Sequence, residues 1–306
     1  MILSIYNMSA GYGSLNIVLE GSERQKARFL PELMRGDLLF AMGFSEPDVG
    51  ADLAAVKTAA VRRGDTVVVN GAKRWTTGAT IADYVYALVR SDNQADRRQN
   101  LSFVLVPTNA PGVTITEIPC MGMEGLATTD VIFDDVEIPF DLVIGEEAGW
   151  NNGWSMLAGP ALEVEKIAPT ACAVGIASAA LEEAWAYSEQ RVQGGKAICH
   201  HQSVRHVLVD CQTKLKAARL MFYNAASRLE NGQDSAIDSA MAKLFCGETC
   251  RDIVLACQQY VMGAYGYAKG FQMERYVRDI LCVPIGGGSS AIQKNNIANL
   301  MRLGRD

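Results

Sequence analysis

The sequence has few of the features that indicate nucleic-acid binding, membrane insertion or secretion. Its 306 residues carry 28 Lys and Arg against 34 Asp and Glu, and the net charge of −6 gives no basic footprint for nucleic acid. No apolar run approaches the roughly 18 residues that would span a membrane. The start, MILSIYNMSAGYGS, lacks the basic n-region of a signal peptide. An apolar fraction of 49% is typical of a globular protein, which at this length is expected to form two or more domains.

Cysteine and histidine patterns for disulfides and metals are also missing. None of the eight cysteines forms a CxxC pair, and several sit in helical patterns, where a free Cys acts as a small apolar side chain. We therefore expect reduced thiols in a cytoplasmic-type compartment. Cys246 and Cys250 are four apart but lack a His or acidic partner at ligand spacing, so no metal site is expected. His200, His201 and His206 are interpreted as surface residues at a helix start.

Three regions follow one another along the chain. Residues 1–37 show helix, break and helix, with Ser22 as N-cap of the second helix and Gly36 at its end. Residues 38–147 change to β-rich runs, and residues 148–306 return to a helical period. We expect an α+β fold: a short N-terminal helical segment, a middle β domain and a C-terminal helical bundle domain.

The middle region predicts a mostly antiparallel barrel or sandwich, because no helical pattern separates its strands. Turn formers such as Asn70-Gly71 and Pro111-Gly112 lie around the runs. The predicted strands are TVVVNG (66–71), DYVYALVR (83–90), LSFVLVP (101–107), GVTITEI (112–118) and DVIFDDVEI (130–138).

The last region predicts a four-helix bundle, since long helices with short connections pack antiparallel. Its breaks are Gly194-Gly195, Asn231-Gly232 and Tyr265-Gly266. The predicted helices cover about 155–192, 201–231 and 235–263, then shorter stretches near 271–280 and 289–303.

Two motifs of the β region suit a flat cofactor. In FSEPDVGAD, Ser45 offers a hydroxyl and Gly50 permits close approach of a ligand to the backbone, although a plain loop has the same composition. In KRWTTG, Trp75 and Thr77 can stack on and hydrogen-bond a heterocycle. A Trp half-buried on a sheet face is the simpler interpretation of that second motif.

Two motifs of the helical region suit an anion or a polarised carbonyl. RVQGGK begins with Arg191, whose guanidinium has the geometry to bind a pyrophosphate. The simpler interpretation is a cation that stabilises the negative end of the helix dipole. IGGGSS places Gly286, Gly287 and Ser289 before a helix whose N-terminal N–H groups are exposed; otherwise it is a flexible linker with Ser289 as N-cap. It is not a GxGxxG fingerprint, which disfavours a nicotinamide site.

A further motif, PALEVEKIAPT, places Glu163, Glu165 and Lys166 at the start of a long helix. A carboxylate there is a candidate base for proton abstraction. The simpler interpretation is a solvated residue of the first helical turn.

Taken in order, these motifs resemble the acyl-CoA dehydrogenase family through essentially the whole chain. The resemblance is carried by GSERQKARFLPEL, FSEPDVGAD, NGAKRWTTG, FDDVEIP, RVQGGK, MGAYGY and the last glycine loop. It implies a helical, β and four-helix-bundle domain in order, FAD as cofactor, an electron-transfer flavoprotein as acceptor, and a homo-oligomer, usually a tetramer. Residues 1–37 match only the end of the family's first domain. We therefore expect either a longer natural protein or a second chain that supplies the rest of that domain.

By position, the resemblance implies roles for individual residues. Many members carry the catalytic Glu where this chain has Gly287, but a smaller branch, which includes isovaleryl-CoA dehydrogenase, carries it on the long helix, at a position that Glu165 matches. The N–H of Gly287 would donate to the thioester carbonyl, and Arg191 would reach the FAD of a neighbouring subunit. The residues implied at the flavin are Met42, Phe44, Ser45, Gly50, Trp75, Thr77 and Ser289, and those implied beside the substrate are Lys166, Gly286 and Gly287.

Four positions depart from the family pattern near the cofactor. Ala51 replaces a Ser, Gly194 an aromatic residue, Tyr260 a Gln and Ala264 a Gly, which lowers the expected affinity for FAD but leaves the fold unchanged. The predicted function is FAD-dependent α,β-dehydrogenation of an acyl-CoA thioester with Glu165 as base. One alternative is a flavin acyl-CoA oxidase or reductase. The other is a non-catalytic subunit of a heteromeric enzyme, which is favoured by the four altered FAD positions and by the partial match to the family's first domain.

Overall fold

The structure, a computed structural model, describes residues 7–92 and 96–304. The chain divides into two compact units, a β unit of residues 1–120 and 124–165, and a helical unit of residues 121–123 and 166–306. Each unit has its own hydrophobic core. The three-part division made from the sequence stays a prediction.

The β unit begins with a π-helical turn, Asn7–Gly13, followed by helices α1 (Ser14–Glu20) and α2 (Glu23–Arg35). Ser22 begins α2 through a reciprocal cap, in which its hydroxyl accepts from the Gln25 N–H and the Gln25 side chain accepts from the Ser22 N–H. Gly36 ends α2 in the left-handed conformation, at φ 77°. The predicted cap and end of this helix are therefore confirmed.

Seven strands of the β unit form one sheet, in the order β1-β4-β2-β3-β7-β6, with β5 paired to β4. The pairs are antiparallel except β1–β4 and β2–β4, which are parallel. The five predicted strands are all present, whereas β1 and β2 were not predicted. The strands are β1 (Phe40–Gly43), β2 (Ala59–Arg63), β3 (Thr66–Lys73), β4 (Tyr84–Arg90), β5 (Leu101–Pro107), β6 (Val113–Ile118) and β7 (Thr128–Pro139).

The Asn70-Gly71 pair is a bulge inside β3, which corrects the predicted turn. The register with β7 shifts between Val69 and Gly71, and β3 continues to Lys73. Gly71 adopts φ 141°, and a Cβ there would lie 2.7 Å from the Cα of Thr58. The glycine therefore serves a close approach between neighbouring strands, the other common use of Gly in a strand.

The core of the β unit lies around β4 and β5, whose side chains are almost all buried. The rings of Tyr86 and Phe103 stack with centroids 4.7 Å apart, and Phe40 stacks on Tyr86 at 6.1 Å. Runs that are apolar at nearly every position suit strands covered on both faces. Two short helices, α3 (Glu146–Gly149) and α4 (Gly153–Leu157), follow β7 in this unit.

The long helices of the helical unit confirm the predicted bundle. The first predicted helix is interrupted near 158–160, which separates α4 from α5, and a π-helical turn, Cys257–Met262, extends α7. A two-stranded hairpin, β8 (Val192–Gln193) and β9 (Lys196–Ala197), occupies the predicted Gly194-Gly195 break. The helices are α5 (Ala161–Gln190, which begins in the β unit), α6 (Gln202–Glu230), α7 (Ala236–Ala256), α8 (Ala264–Tyr267), α9 (Gln272–Ile280) and α10 (Ser290–Leu300).

Small side chains line the contacts inside the bundle, where Ala177, Ala180 and Ala184 of α5 are fully buried. Cys246 and Cys250 of α7 are buried as well and act as the small apolar residues expected of them. By length and composition alone, Gly153–Gln190 is apolar enough to cross a membrane, a test that long core helices also pass.

Candidate active site

The segment Met42–Ser45 leaves the sheet at the end of β1. Parallel pairing sets Met42 opposite Tyr86 of β4, and the ring of Phe44 then packs 5.3 Å from Phe103 and 5.5 Å from Tyr12. Phe44 and Ser45 are only half-buried. The segment is thus fixed by the aromatic core while part of its surface stays accessible.

The following loop is held by reciprocal backbone hydrogen bonds between Glu46 and Val49, of 2.8 and 3.1 Å. Gly50 comes next and is exposed, and a Cβ there would meet no atom within 4 Å. Among the described residues the backbone of Gly50 is therefore open to a ligand, as the close approach proposed for it requires.

Trp75 follows β3 in an unusual backbone conformation. Its φ is 63°, in the left-handed region that costs a non-Gly residue about 1–2 kcal/mol, and its side chain is 54% exposed. Thr76 fixes this turn, because its N–H donates to the Thr129 carbonyl at 2.9 Å and its own carbonyl accepts from the Thr129 hydroxyl at 2.7 Å. A strained backbone that presents an indole to the outside is a feature of binding sites more than of cores.

The two segments lie side by side at one end of the β unit. The N–H of Arg74 donates to the Ser45 carbonyl at 2.9 Å, and the Lys73 ammonium donates to the Phe44 carbonyl at 3.2 Å. The structure therefore brings together five of the residues predicted to contact the cofactor: Met42, Phe44, Ser45, Trp75 and Thr77.

Sequence reasoning missed the buried ion pair beneath these segments. Lys73 donates to the Glu46 carboxylate at 2.8 Å, and the two side chains are 0% and 5% exposed. Burial lowers the pKa of Lys73 to about 8, against the attraction of Glu46. Burial alone would raise the pKa of Glu46, but the charge and hydrogen bond of Lys73, together with hydrogen bonds from Thr58 and the Lys57 N–H, outweigh burial and lower that pKa.

The residues at this end of the β unit fit an isoalloxazine-type ring. Trp75 offers an aromatic face, and the Thr77 hydroxyl lies 3.1 Å from that of Thr128. The Thr76 hydroxyl is buried and has no hydrogen-bond partner among the described residues. A flat heterocycle with polar edges matches this combination of an exposed indole and polar groups.

The candidate base, Glu165, lies in the second turn of α5 with its side chain half-buried. Pro169 has no N–H and so cannot donate the helical hydrogen bond to the Glu165 carbonyl. Glu163 is half-buried too, whereas Lys166 is only 3% exposed. The predicted contact of Lys166 with a substrate stays a prediction that its burial does not favour.

The glycine loop of the helical unit connects α9 with α10. Gly287 and Gly288 adopt φ 64° and 79°, conformations that favour glycine. In the described part of the chain, no backbone carbonyl accepts from the Gly287 N–H, whereas the Gly286 N–H donates to the Cys282 carbonyl at 2.9 Å. Ser289 caps α10 and accepts from the Ile292 N–H at 3.4 Å, as the simpler interpretation of it expected.

Arg191 follows the last residue of α5 and lies against aromatic side chains. Its guanidinium carbon is 5.3 Å from the Tyr265 ring centre, and Tyr265 packs on Tyr187 and Phe271. This surface offers a cation among aromatic rings, but its predicted role toward a neighbour's FAD stays a prediction. His201 marks the start of α6, as expected, and its Nε2 lies 3.0 Å from the Gln193 carbonyl.

Comparisons with known proteins find relatives along most of the chain. The family model "Acyl-CoA dehydrogenase, middle domain" matches residues 41–136, and "Acyl-CoA dehydrogenase, C-terminal domain" matches residues 151–301. The chain is 34% identical over 287 residues to 3-(aryl)acrylate reductase of Clostridium sporogenes, across 93% of this chain and 74% of the relative. It is 32% identical over 286 residues to caffeyl-CoA reductase-Etf complex subunit CarC of Acetobacterium woodii, with the same coverage. Among solved structures, butyryl-CoA dehydrogenase from Megasphaera elsdenii superposes with a TM-score of 0.91 at 29% identity, across 97% of this chain and 77% of that one.

Proposed function

The chain belongs to the acyl-CoA dehydrogenase family, an oxidoreductase family acting on CH–CH groups, and on that premise we propose an FAD-dependent α,β-dehydrogenation of an acyl-CoA thioester with Glu165 as base. The observation that carries the cofactor assignment is Trp75, an indole held outward by a left-handed backbone beside the Ser45 segment. Bound FAD would supply the acceptor for the β-hydrogen, which leaves as hydride.

Glu165 has the chemistry for the proton half of the reaction. An α-proton beside a thioester is far too weakly acidic for a carboxylate to remove in water, so the enolate that develops must be stabilised. We propose that the Gly287 N–H, which has no backbone acceptor among the described residues, donates to the thioester carbonyl. Glu165 then takes the α-proton as that negative charge develops on the carbonyl oxygen.

The visible absorption spectrum of the purified protein is the first test. Flavin bands that disappear when an acyl-CoA is added under anaerobic conditions would support the proposal. Deuterium incorporation at the α-carbon of a saturated acyl-CoA in D₂O tests the proton step separately. A protein that binds neither FAD nor acyl-CoA would contradict the proposal and favour the non-catalytic subunit.

A second candidate is the reverse reaction, reduction of an enoyl-CoA, which the names of the two reductase relatives favour. In that direction Glu165 would return a proton to the α-carbon. The same two names favour substrates with an aryl group on the acyl chain. Initial rates in both directions, with matched aryl and alkyl thioesters, would distinguish the candidates, and oxygen consumption without an acceptor protein would indicate an oxidase.

We further propose an electron-transfer flavoprotein as the redox partner, supported by the relative named as a subunit of an Etf complex. We also propose a homo-oligomer in a cytoplasmic-type, reducing compartment. The role toward a neighbouring subunit's FAD that the family resemblance implies for Arg191 supports the homo-oligomer, and eight free cysteines support the reducing compartment. Sedimentation of the FAD-loaded protein tests the assembly: a 33.1 kDa monomer with full FAD occupancy would contradict it.

A further inference from the structure

The end of β1 and the end of β3 are not neighbours in the sheet. In the described ladders β1 pairs with β4, whereas β3 pairs with β2 and β7. The spacing between Phe44–Ser45 and Trp75–Thr77 is therefore not set by strand pairing. Among the described residues, the hydrogen bonds that span it include the Arg74 N–H to Ser45 carbonyl bond and the two hydrogen bonds of the Lys73 ammonium.

Glu46 provides the fixed end of this connection. Its Oε2 accepts from the Lys57 N–H at 2.7 Å, and its Oε1 accepts from the Thr58 N–H at 2.8 Å as well as from Lys73. The carboxylate is thus held by the backbone that leads into β2. A group with this many partners has little freedom to turn, so the Lys73 ammonium is fixed as well.

The path of Lys73 is closely fitted to its neighbours. A Cβ on Gly43 would lie 2.7 Å from Val85 Cγ1 and 3.3 Å from Lys73 Cγ, so the lysine stem passes directly over the glycine. From there the ammonium reaches the Phe44 carbonyl at 3.2 Å. Gly43 is required here by this close packing.

Stability alone does not explain why a charged pair occupies this place. A buried ion pair is often no more stabilising than well-packed apolar side chains, although removal of one partner is strongly destabilising. Resting on the proposed FAD site, we propose that Glu46 and Lys73 are positioning residues, which set the distance between the two segments that face the flavin. Neither needs to touch the cofactor itself.

The test separates folding from positioning. Lys73→Met leaves a buried carboxylate without its cation and is expected to lower the thermal midpoint of the apoprotein. Glu46→Gln combined with Lys73→Met removes both charges and keeps one side-chain oxygen, which can accept from one of the two backbone N–H groups, so the midpoint is expected to recover in part relative to Lys73→Met alone. The FAD dissociation constant of this double variant is expected to remain about tenfold or more above that of the wild type, which is the effect of one lost hydrogen bond to a charged group. The visible circular dichroism of the bound flavin is expected to change with it.

Glu46→Asp provides a second variant in case the double variant does not fold. It keeps both charges but withdraws the carboxylate by one methylene, so it is expected to fold, to bind FAD more weakly and to alter the flavin dichroism. Lys57→Met, at an exposed ion pair with Asp48, is the matched control and is expected to change none of these. Wild-type FAD affinity and dichroism in a folded double variant, or in Glu46→Asp, would overturn the inference. Absence of FAD binding by the wild type would overturn the proposed function instead.

Discussion

Glu165 lies close enough to Tyr12 for its charge to act on the tyrosine phenol. Burial above all, and then the negative charge of Glu165, raise the pKa of Tyr12 above its ordinary value. The Tyr12 ring also packs 5.5 Å from the ring of Phe44. Within the β unit, one buried aromatic side chain thus connects the candidate base with the segment expected to face the flavin.

The first prediction concerns that base. Glu165→Gln keeps the size of the side chain and removes its basicity, so FAD binding and folding are expected to be unchanged. Turnover of acyl-CoA and α-proton exchange are expected to fall about 10²- to 10⁴-fold, the usual contribution of a general base. Stopped-flow reduction of the flavin and mass spectrometry of the exchanged thioester measure the two effects.

Glu163→Gln is the matched control for this prediction. Glu163 is two residues away and points about 200° round the helix from Glu165, so both cannot face the same ligand. Glu163→Gln is expected to retain activity, and the opposite pattern would assign the base to the other helix face. Transfer of the base to position 287 is not expected to succeed readily, since Gly287 has φ 64° and a side chain there would be strained.

The second prediction concerns pH and the free energy of unfolding. Burial lowers the folded-state pKa of Lys73 to about 8 from an ordinary value of 10.5. Between these two values the unfolded chain holds the proton more tightly, so a rise in pH favours the folded state. The contribution is expected to be up to about 3 kcal/mol, at about 1.4 kcal/mol per pKa unit.

Urea unfolding at several pH values from 7.5 to 10 measures this contribution as a difference. The wild type is expected to gain stability with pH relative to Lys73→Met, which has no titrating group at that position. Lys57→Met, whose lysine is exposed, is expected to follow the wild type. Parallel pH profiles for wild type and Lys73→Met would show that Lys73 titrates near its ordinary value.

The third prediction concerns the thiols. Burial raises the pKa of both Cys246 and Cys250 to about 12, whereas Cys120 and Cys282 are exposed. Since the thiolate is the reactive form, an aromatic disulfide reagent at pH 8 is expected to label the exposed pair first. Peptide mass spectrometry should find the buried pair labelled only as the chain unfolds, and early labelling of Cys250 would contradict the bundle packing.

The long elements were predictable from the sequence because their signals are local. Apolar runs such as those of β4 and β5, and the Ser22 cap of α2, need no knowledge of distant residues. Two short strands, β1 and β2, have only four and five residues and lack that signal. The Asn70-Gly71 pair has the composition of a turn, and only the pairing of β3 with β7 shows that it is a bulge.

The sequence predicted individual residues of the candidate site but neither their arrangement nor the ion pair beneath them. Trp75 and Ser45 were identified within motifs. The left-handed backbone of Trp75 and the exposure of its side chain, however, cannot be deduced from the amino-acid sequence alone. Glu46 and Lys73 belong to the same two motifs but were given no role, since a sequence does not show which charges become buried. Their contact joins residues 27 positions apart, which only the fold brings together.

The last prediction concerns the shape of the acyl pocket. From the resemblance to the family, in which many members carry a Tyr-Glu pair at the positions of Gly286 and Gly287, we propose that these glycines leave the space of two side chains open beside the reacting carbons. An empty apolar cavity of that size would be destabilising, and we expect a branched or ring-bearing acyl group to fill it. Ratios of kcat/KM for branched, aryl and straight medium-chain thioesters measure this preference.

Gly286→Leu tests the cause of that preference. A Cβ on Gly286 would meet only Cys282 atoms, at 3.7 and 3.9 Å, so the variant is expected to fold. The added side chain would take up the space assigned to the substrate branch, so kcat/KM for branched and aryl thioesters is expected to fall by about tenfold or more relative to a straight-chain one, as for a misfit of one or two methylenes. Gly175→Leu on α5, where a Cβ would meet nothing within 4 Å, is the control and should leave the ratio unchanged. If straight chains are strongly preferred by the wild type, or if Gly286→Leu leaves the ratio as it was, the two glycines do not shape the acyl pocket.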